Sequence, residues 1–166
     1  MCGILALFGE EVDVSSHLLS HRGPDDYRTK TKGKCRMDFY RLAINDLTDA
    51  GMQPFVKDDS MLICNGEIYN HREFRTGEEK SESDCEVLVP LIEKYGIMET
   101  VDMINGDFAF VWTDGNRVMA ARDPVGVRPM FYTRYAEKSI AFASEVKALL
   151  CLRSEIHVFP PGHIYD

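Results

Sequence analysis

An apolar run, Gly3 to Phe8, begins two residues into the chain and stops at the acidic pair Glu10-Glu11. That placement constrains the fold more than any other feature. Six residues are too few to cross a membrane, and no basic segment precedes them, so the run reads neither as a span nor as a secretory signal. It reads as a buried strand at the very terminus, which pins the residue before it in place of leaving it on a frayed end. That residue is Cys2. Removal of initiator methionine before a small side chain would give it a free α-amine beside its thiol, a nucleophile with its own base. With Met1 attached the same nitrogen is an amide and has no such role.

The rest of the pattern is antiparallel. Strands are expected at 36–44 and 61–65, with the intervening loop, Asn45 to Pro54, punctuated by Gly51 and Pro54 and suited to act as a mobile lid. A turn at Ser15 to Ser20 precedes the turn sequence His21-Arg22-Gly23-Pro24-Asp25. Ser83-Asp84-Cys85-Glu86 has the form of a capping box and predicts a helix to Gly96, with Pro90 kinking it or loosening one turn. A second helix is expected from Ile97 to Ile104. Asp114-Gly115 predicts a hairpin between Phe108 to Thr113 and Arg117 to Arg122. A further pair, Met130 to Tyr135 with Ser139 to Ser144, is followed by a helix from Glu145 to Leu150. Sheets with helices segregated around them make an α+β domain.

At 166 residues one domain is expected. The net charge of −8 argues against a nucleic-acid partner, which would want a basic face. Five scattered cysteines without a Cys-x-x-Cys pair suit reduced thiols in a cytoplasm-like compartment better than disulfides or a zinc site. Cys35, Cys64 and Cys151 read as packing residues.

Four segments add chemistry to Cys2. Arg41, in Arg41-Leu42-Ala43-Ile44, can hold a carboxylate through its forked guanidinium, although an isolated strand-end arginine is more often a surface residue. In Asn65-Gly66-Glu67-Ile68-Tyr69-Asn70-His71, the Asn65 amide and the Gly66 N–H form a pair of oxyanion donors. Asn-Gly is equally a hairpin-turn dipeptide, and the residues alone leave both readings open. Asp84 at a helix start is explained by the helix dipole, or as a seat for an ammonium group. The His21 to Asp25 turn is the fourth.

Taken in order, Met1-Cys2-Gly3-Ile4, His21-Arg22-Gly23-Pro24-Asp25, Arg41-Leu42-Ala43-Ile44, Asn65 to His71 and Ser83 to Glu86 resemble the glutaminase domain of glutamine-dependent asparagine synthetase, a class II glutamine amidotransferase. Gly106-Asp107-Phe108-Ala109-Phe110, Arg122-Asp123-Pro124-Val125-Gly126, Ala143 to Leu149 and Phe159-Pro160-Pro161-Gly162 extend the likeness almost end to end. The resemblance implies a four-layer αββα sandwich of the N-terminal-nucleophile hydrolase type. It implies Cys2 as nucleophile on the glutamine side-chain amide, its α-amine as base, and Asn65 and Gly66 as oxyanion donors. Arg41 would hold the substrate α-carboxylate and Asp84 its α-amine, with Leu42, Ile44, Asn45 and Glu67 lining the pocket. His21, Arg22, Asp25, Arg122 and Asp123 are better read as structural, and His17, His71, His157 and His163 stay unassigned.

The stretches between Phe8 and His21 and between His71 and Ser83 are shorter than the family usually carries, which predicts thinned outer layers. No phosphate-cradling glycine loop is present, so no cofactor is expected in this chain; ATP and magnesium would belong to a synthetase domain. L-glutamine is the expected substrate and a separate synthetase subunit the possible ammonia acceptor. The alternatives are a catalytically silent or partner-activated subunit and, more weakly, N-terminal-nucleophile proteolysis.

Overall fold

The computed structural model describes residues 1–166. The N-terminal apolar run is a strand, β1 (Gly3–Phe8), buried along most of its length. It is followed by β2 (Asp26–Lys32), β3 (Cys35–Arg41), β4 (Phe55–Lys57) and β5 (Ser60–Ile68). Then come the helix α1 (Leu88–Met103) and β6 (Gly106–Thr113), β7 (Val118–Arg122), β8 (Phe131–Ala136) and β9 (Ser139–Ala143). Two short pieces, β10 (His157–Val158) and β11 (Ile164–Tyr165), end the chain.

Two antiparallel sheets result, one ordered β10-β8-β9-β1-β3-β2 and the other β11-β7-β6-β5-β4. Strand alternation decides which side chains meet between them. Ile4 and Ala6 of β1, Met37 and Phe39 of β3, and Ile140 and Phe142 of β9 face Met61 and Ile63 of β5, Ala109 and Val111 of β6, and Ala120 of β7. The opposite face of the second sheet, with Leu62, Phe108 and Phe110, is covered by Leu88, Leu91 and Ile92 of α1. The opposite face of the first, with Leu5, Leu7 and Ala141, is covered only by turns carrying Val14, Leu19, Ala148 and Leu149. The four expected layers are present, and the layer outside the first sheet is reduced to short 3-10 turns (Ser16–Leu19, Val146–Ala148 and Leu150–Leu152). No helix is long and apolar enough to cross a membrane.

Several local expectations are corrected. Glu145 to Leu150 is not an α-helix but 3-10 turns. The Ser83 side chain makes no cap; Glu86 instead accepts from the Lys80 and Ser81 N–H groups at 2.9 Å each, closing the shortened 76–86 segment on itself. Pro90 does not kink α1, where it stands in the first turn, but the turn before it, Asp84–Val87, is 3-10 and not α, in line with the alternative of one loosened turn. The break comes at Gly96, whose φ of 79° and ψ of 167° separate two helical pieces where two helices were expected. Strand β3 ends at Arg41, so Leu42 to Ile44 are not strand. Cys151 is exposed and is not a core residue, whereas Cys35 and Cys64 are buried.

Candidate active site at the open end of the sandwich

Alternation also builds the site. Cys2 precedes Ile4 and Ala6 by the same period of two, Arg41 continues Met37 and Phe39, and Asn65 and Glu67 continue Met61 and Ile63. Each therefore points inward between the sheets, at the end where the apolar series gives out. Because Gly3 pairs with Tyr40, the start of β1 lies beside the end of β3. A single cleft there is lined by Cys2, Arg41, Leu42, Ile44, Asn45, Asn65, Gly66, Glu67 and Asp84, so every residue expected to act on or bind the substrate is brought together, while the His21 to Asp25 turn lies outside the lining. It has about 70 Å³ of space, room for a handful of waters or one small polar molecule.

Cys2 is held from several sides. The Leu42 N–H donates to Sγ at 3.4 Å, and the thiol lies 3.6 Å from the Leu42 carbonyl. Burial pushes the thiol pKa up, and the Leu42 N–H opposes that shift. Arg22 Nε donates to the Cys2 carbonyl at 3.0 Å. Met1 also lines the cleft, joined to the Cys2 nitrogen as an amide.

Asn65 and Gly66 lie inside β5, opposite Ala109 and Phe108, which removes the hairpin-turn reading. A Cβ on Gly66 would sit 2.4 Å from the Asp107 carbonyl oxygen, so the close approach of β6 requires glycine there. Asn65 is 1% exposed and its Nδ2 has no hydrogen-bond partner. A buried amide donor left unpaired costs about 1–3 kcal/mol, so this N–H is available to an acceptor entering the cleft.

The other polar groups are occupied. Arg41 is 7% exposed and donates to the Thr48 carbonyl at 2.7 Å and to the Asp46 carbonyl. Asp84 accepts from the Ile68 N–H at 2.6 Å and from Asn45 Nδ2 at 2.7 Å. The loop expected to be a free lid is thus tied down. Asp46 accepts from the Thr48 hydroxyl and N–H at 2.7 Å and from the Glu82 N–H at 2.8 Å, bonds that hold its carboxyl below the usual range. Ile44 and Leu47 remain exposed at its outer side.

Sequence reading missed Gln53, Cys85 and Arg128, which also line the cleft. Gln53 gives its Nε2 to the Cys64 carbonyl at 3.2 Å and takes the Cys64 N–H at 2.6 Å, bracing the strand beside Asn65. Arg128 is anchored on Asp107 at 2.8 Å. No local motif announces either residue; only the closing of the loop and of the β5–β6 pair brings them in. The structural reading of Arg122 and Asp123 fits their bonds: Arg122 ties Gly126, Arg128 and Phe159 carbonyls, and Asp123 gathers the N–H groups of Gly126 to Arg128.

The family profile described as "Glutamine amidotransferase domain" matches residues 1–161. Asparagine synthetase [glutamine-hydrolyzing] of Zea mays is 41% identical over 184 residues, covering all of this chain and 31% of that protein. Asparagine synthetase [glutamine-hydrolyzing] 3 of Arabidopsis thaliana is 40% identical over 188 residues, with the same coverage. The chain therefore spans about a third of the length of these relatives. Among solved structures, glutamine phosphoribosylpyrophosphate amidotransferase from B. subtilis superposes with a TM-score of 0.79 at 21% identity, covering 98% of this chain and 46% of that one. That likeness shows the fold, two antiparallel sheets face to face as in the amidotransferase structure. With its cleft, its fold and its relatives in agreement, the chain belongs to the glutamine amidotransferase domain family, and its curated relatives are asparagine synthetases.

Proposed function

We propose that this chain hydrolyses the side-chain amide of L-glutamine to glutamate and ammonia, through a γ-glutamyl thioester on Cys2. The observation that carries the reading is the buried, partnerless Asn65 amide in the cleft that also holds the Cys2 thiol. In the first step the Cys2 sulfur bonds to the amide carbon while its proton passes to the α-amine of a Met-trimmed Cys2. The negative oxygen that forms takes the Asn65 N–H, with the Gly66 N–H as the second donor, at about 3–4 kcal/mol per donor in comparable sites. The amine returns the proton to the departing ammonia, and water then splits the thioester.

Arg41 and Asp84 lie in the same cleft with charges suited to the α-carboxylate and α-ammonium of a free amino acid. Leu42, Ile44, Asn45 and Glu67 complete the lining. The half-reaction uses only these groups; ATP and magnesium belong to the amidation that consumes the ammonia, carried out by an asparagine-synthetase-like acceptor.

A second reading, a subunit activated by a partner, draws support from one feature. Asp84 is already satisfied by Asn45 and Ile68, and Arg41 is engaged with its own loop, so the substrate ammonium must displace Asn45 or share the Asp84 oxygens, and its carboxylate must share the Arg41 N–H groups. Glutamate release from glutamine by the purified chain, with its N-terminus established by mass spectrometry, tests both. Turnover by the Met-trimmed chain alone supports a self-sufficient glutaminase. No turnover despite a free Cys2 removes that reading in favour of the partner-activated one.

A further inference from the structure

Glu145 lies far from the cleft in sequence and outside its lining, yet it ends a chain of contacts that reaches the nucleophile. Its Oε1 accepts from Arg22 NH1 at 3.0 Å and lies 2.9 Å from His21 Nε2. Its Oε2 lies 3.0 Å from Lys147 Nζ. Arg22 in turn donates from Nε to the Cys2 carbonyl at 3.0 Å. The neighbouring residue grips the same strand: the Ser144 N–H donates to the Ile4 carbonyl and Ser144 Oγ accepts from the Ile4 N–H, both at 3.0 Å.

The importance of this clamp follows from where Cys2 stands. Once Met1 is removed, Cys2 is tethered covalently only through its carbonyl carbon. Rotation about two bonds, Cα–C and Cα–Cβ, then decides where amine and thiol point. The Arg22 bond holds the carbonyl oxygen, and with it the peptide plane to Gly3 and the Cα from which amine and thiol swing. The Leu42 N–H on Sγ sets the swing itself. Arg22 is long and carries about 2 kcal/mol of rotamer entropy, so it holds Cys2 firmly only if something holds it. Its NH2 is buried without a partner and its side chain is 10% exposed, which leaves the Glu145 carboxylate as its anionic anchor.

We propose that Glu145 is a positioning residue for the Cys2 nucleophile: by locking Arg22 it fixes the Cys2 carbonyl, and with it the position of the Cα that carries the α-amine and thiol. This rests on the reading of Cys2 as nucleophile. Removing the carboxylate leaves a buried guanidinium without its counter-charge, and Arg22 relaxes toward water.

The test uses the full, Met-trimmed chain with Glu145→Ala and Glu145→Gln, read by glutaminase kinetics and by the rate of Cys2 alkylation with iodoacetamide, followed by mass spectrometry. In Glu145→Ala, kcat is expected to fall about ten- to a hundredfold, the scale of a displaced reacting group. KM should stay within about twofold, because the residues assigned to glutamine are untouched. Cys2 alkylation should slow in parallel. Glu145→Gln keeps one acceptor but loses the charge, and should lie between Ala and wild type. Unchanged kcat and alkylation in either folded variant, or a change confined to KM, overturns the proposal; if Ala does not melt cooperatively, Gln decides. Wild-type protein with free Cys2 but no glutamate release would sink the glutaminase reading instead, and the alkylation rates would still judge Glu145.

Discussion

The two sheets supply opposite halves of the cleft and hold them by different physics. The first sheet carries Cys2 and Arg41, and beyond its outer face lie only 3-10 turns. Its half of the site is fixed by directed bonds: Arg22 on the Cys2 carbonyl, Glu145 on Arg22, Leu42 on the thiol, and Arg41 on two loop carbonyls. The second sheet carries Asn65, Gly66 and Glu67 on β5, which is paired along its length with β6 and backed by α1. Its half is fixed by backbone ladder and apolar packing, and it tolerates an unpaired donor. The comparison teaches that the Cys2 side responds to charge and pH, whereas the Asn65 side responds to loss of volume.

The sharpest break between the halves is chemical. Cys2→Ala should abolish glutamate release while leaving the melting temperature near wild type, since Cys2 is only partly buried; residual turnover would remove it from the mechanism. Phe110→Ala, in the fully buried layer under α1, should cost about 3–5 kcal/mol of stability in denaturant titration. A loss near 1 kcal/mol would mean that packing does not hold the second-sheet half. Asn65→Ala should lower kcat about 10²- to 10³-fold with KM little changed, and because it removes an unpaired buried amide it should not lower stability. Destabilisation without a kcat effect would make Asn65 a structural residue.

Arg41→Ala should raise KM for glutamine about ten- to a hundredfold, the worth of a charged hydrogen bond. It should also lower the melting temperature, because the loop carbonyls lose their donor. The smallest expected effect is on pH. Burial pushes the Glu145 carboxyl up, but Arg22, Lys147 and His21 outweigh it and hold it at about 2, below an ordinary 4.5. A carboxyl depressed in the folded state contributes stability above its unfolded value that is lost as pH falls from about 4.5 toward 2. Discounted for partial exposure this is about 1 kcal/mol. Acid titration of stability for wild type against Glu145→Gln measures it, and identical curves would dissolve the charge side of the comparison.

Much of this was legible because it is periodic or punctuated. Gly3 to Phe8 is continuous apolar sequence, Asp114-Gly115 marks its hairpin, and Gly96 divides the helical pieces where expected. The cleft residues were legible through their ordered motifs. The strand β2 was not, because Asp26-Tyr27-Arg28-Thr29-Lys30-Thr31-Lys32 is an edge strand with little buried side chain, and only its ladder with β3 defines it. Strands β4, β10 and β11 are too short to carry a period. The capping box misled because Glu86 found better donors in a shortened segment. Arg41 is legible through its forked charge and the family resemblance; its bonds to Thr48 and Asp46 depend on a loop conformation that no local pattern encodes.

One small device joins what the comparison separates. The Gln53 amide takes both the N–H and the C=O of Cys64, as a strand neighbour would, from the far end of the loop that Arg41 grips near its start. The loop is therefore a rod linking the two halves, clamped to the first sheet by a guanidinium and to the second by an amide. Whatever settles into the cleft and pulls on Arg41 also tugs the backbone next to Asn65. The length of chain between residues 46 and 53 is then a gauge for the site: a residue inserted there would shift Asn65 relative to Cys2 without altering either one.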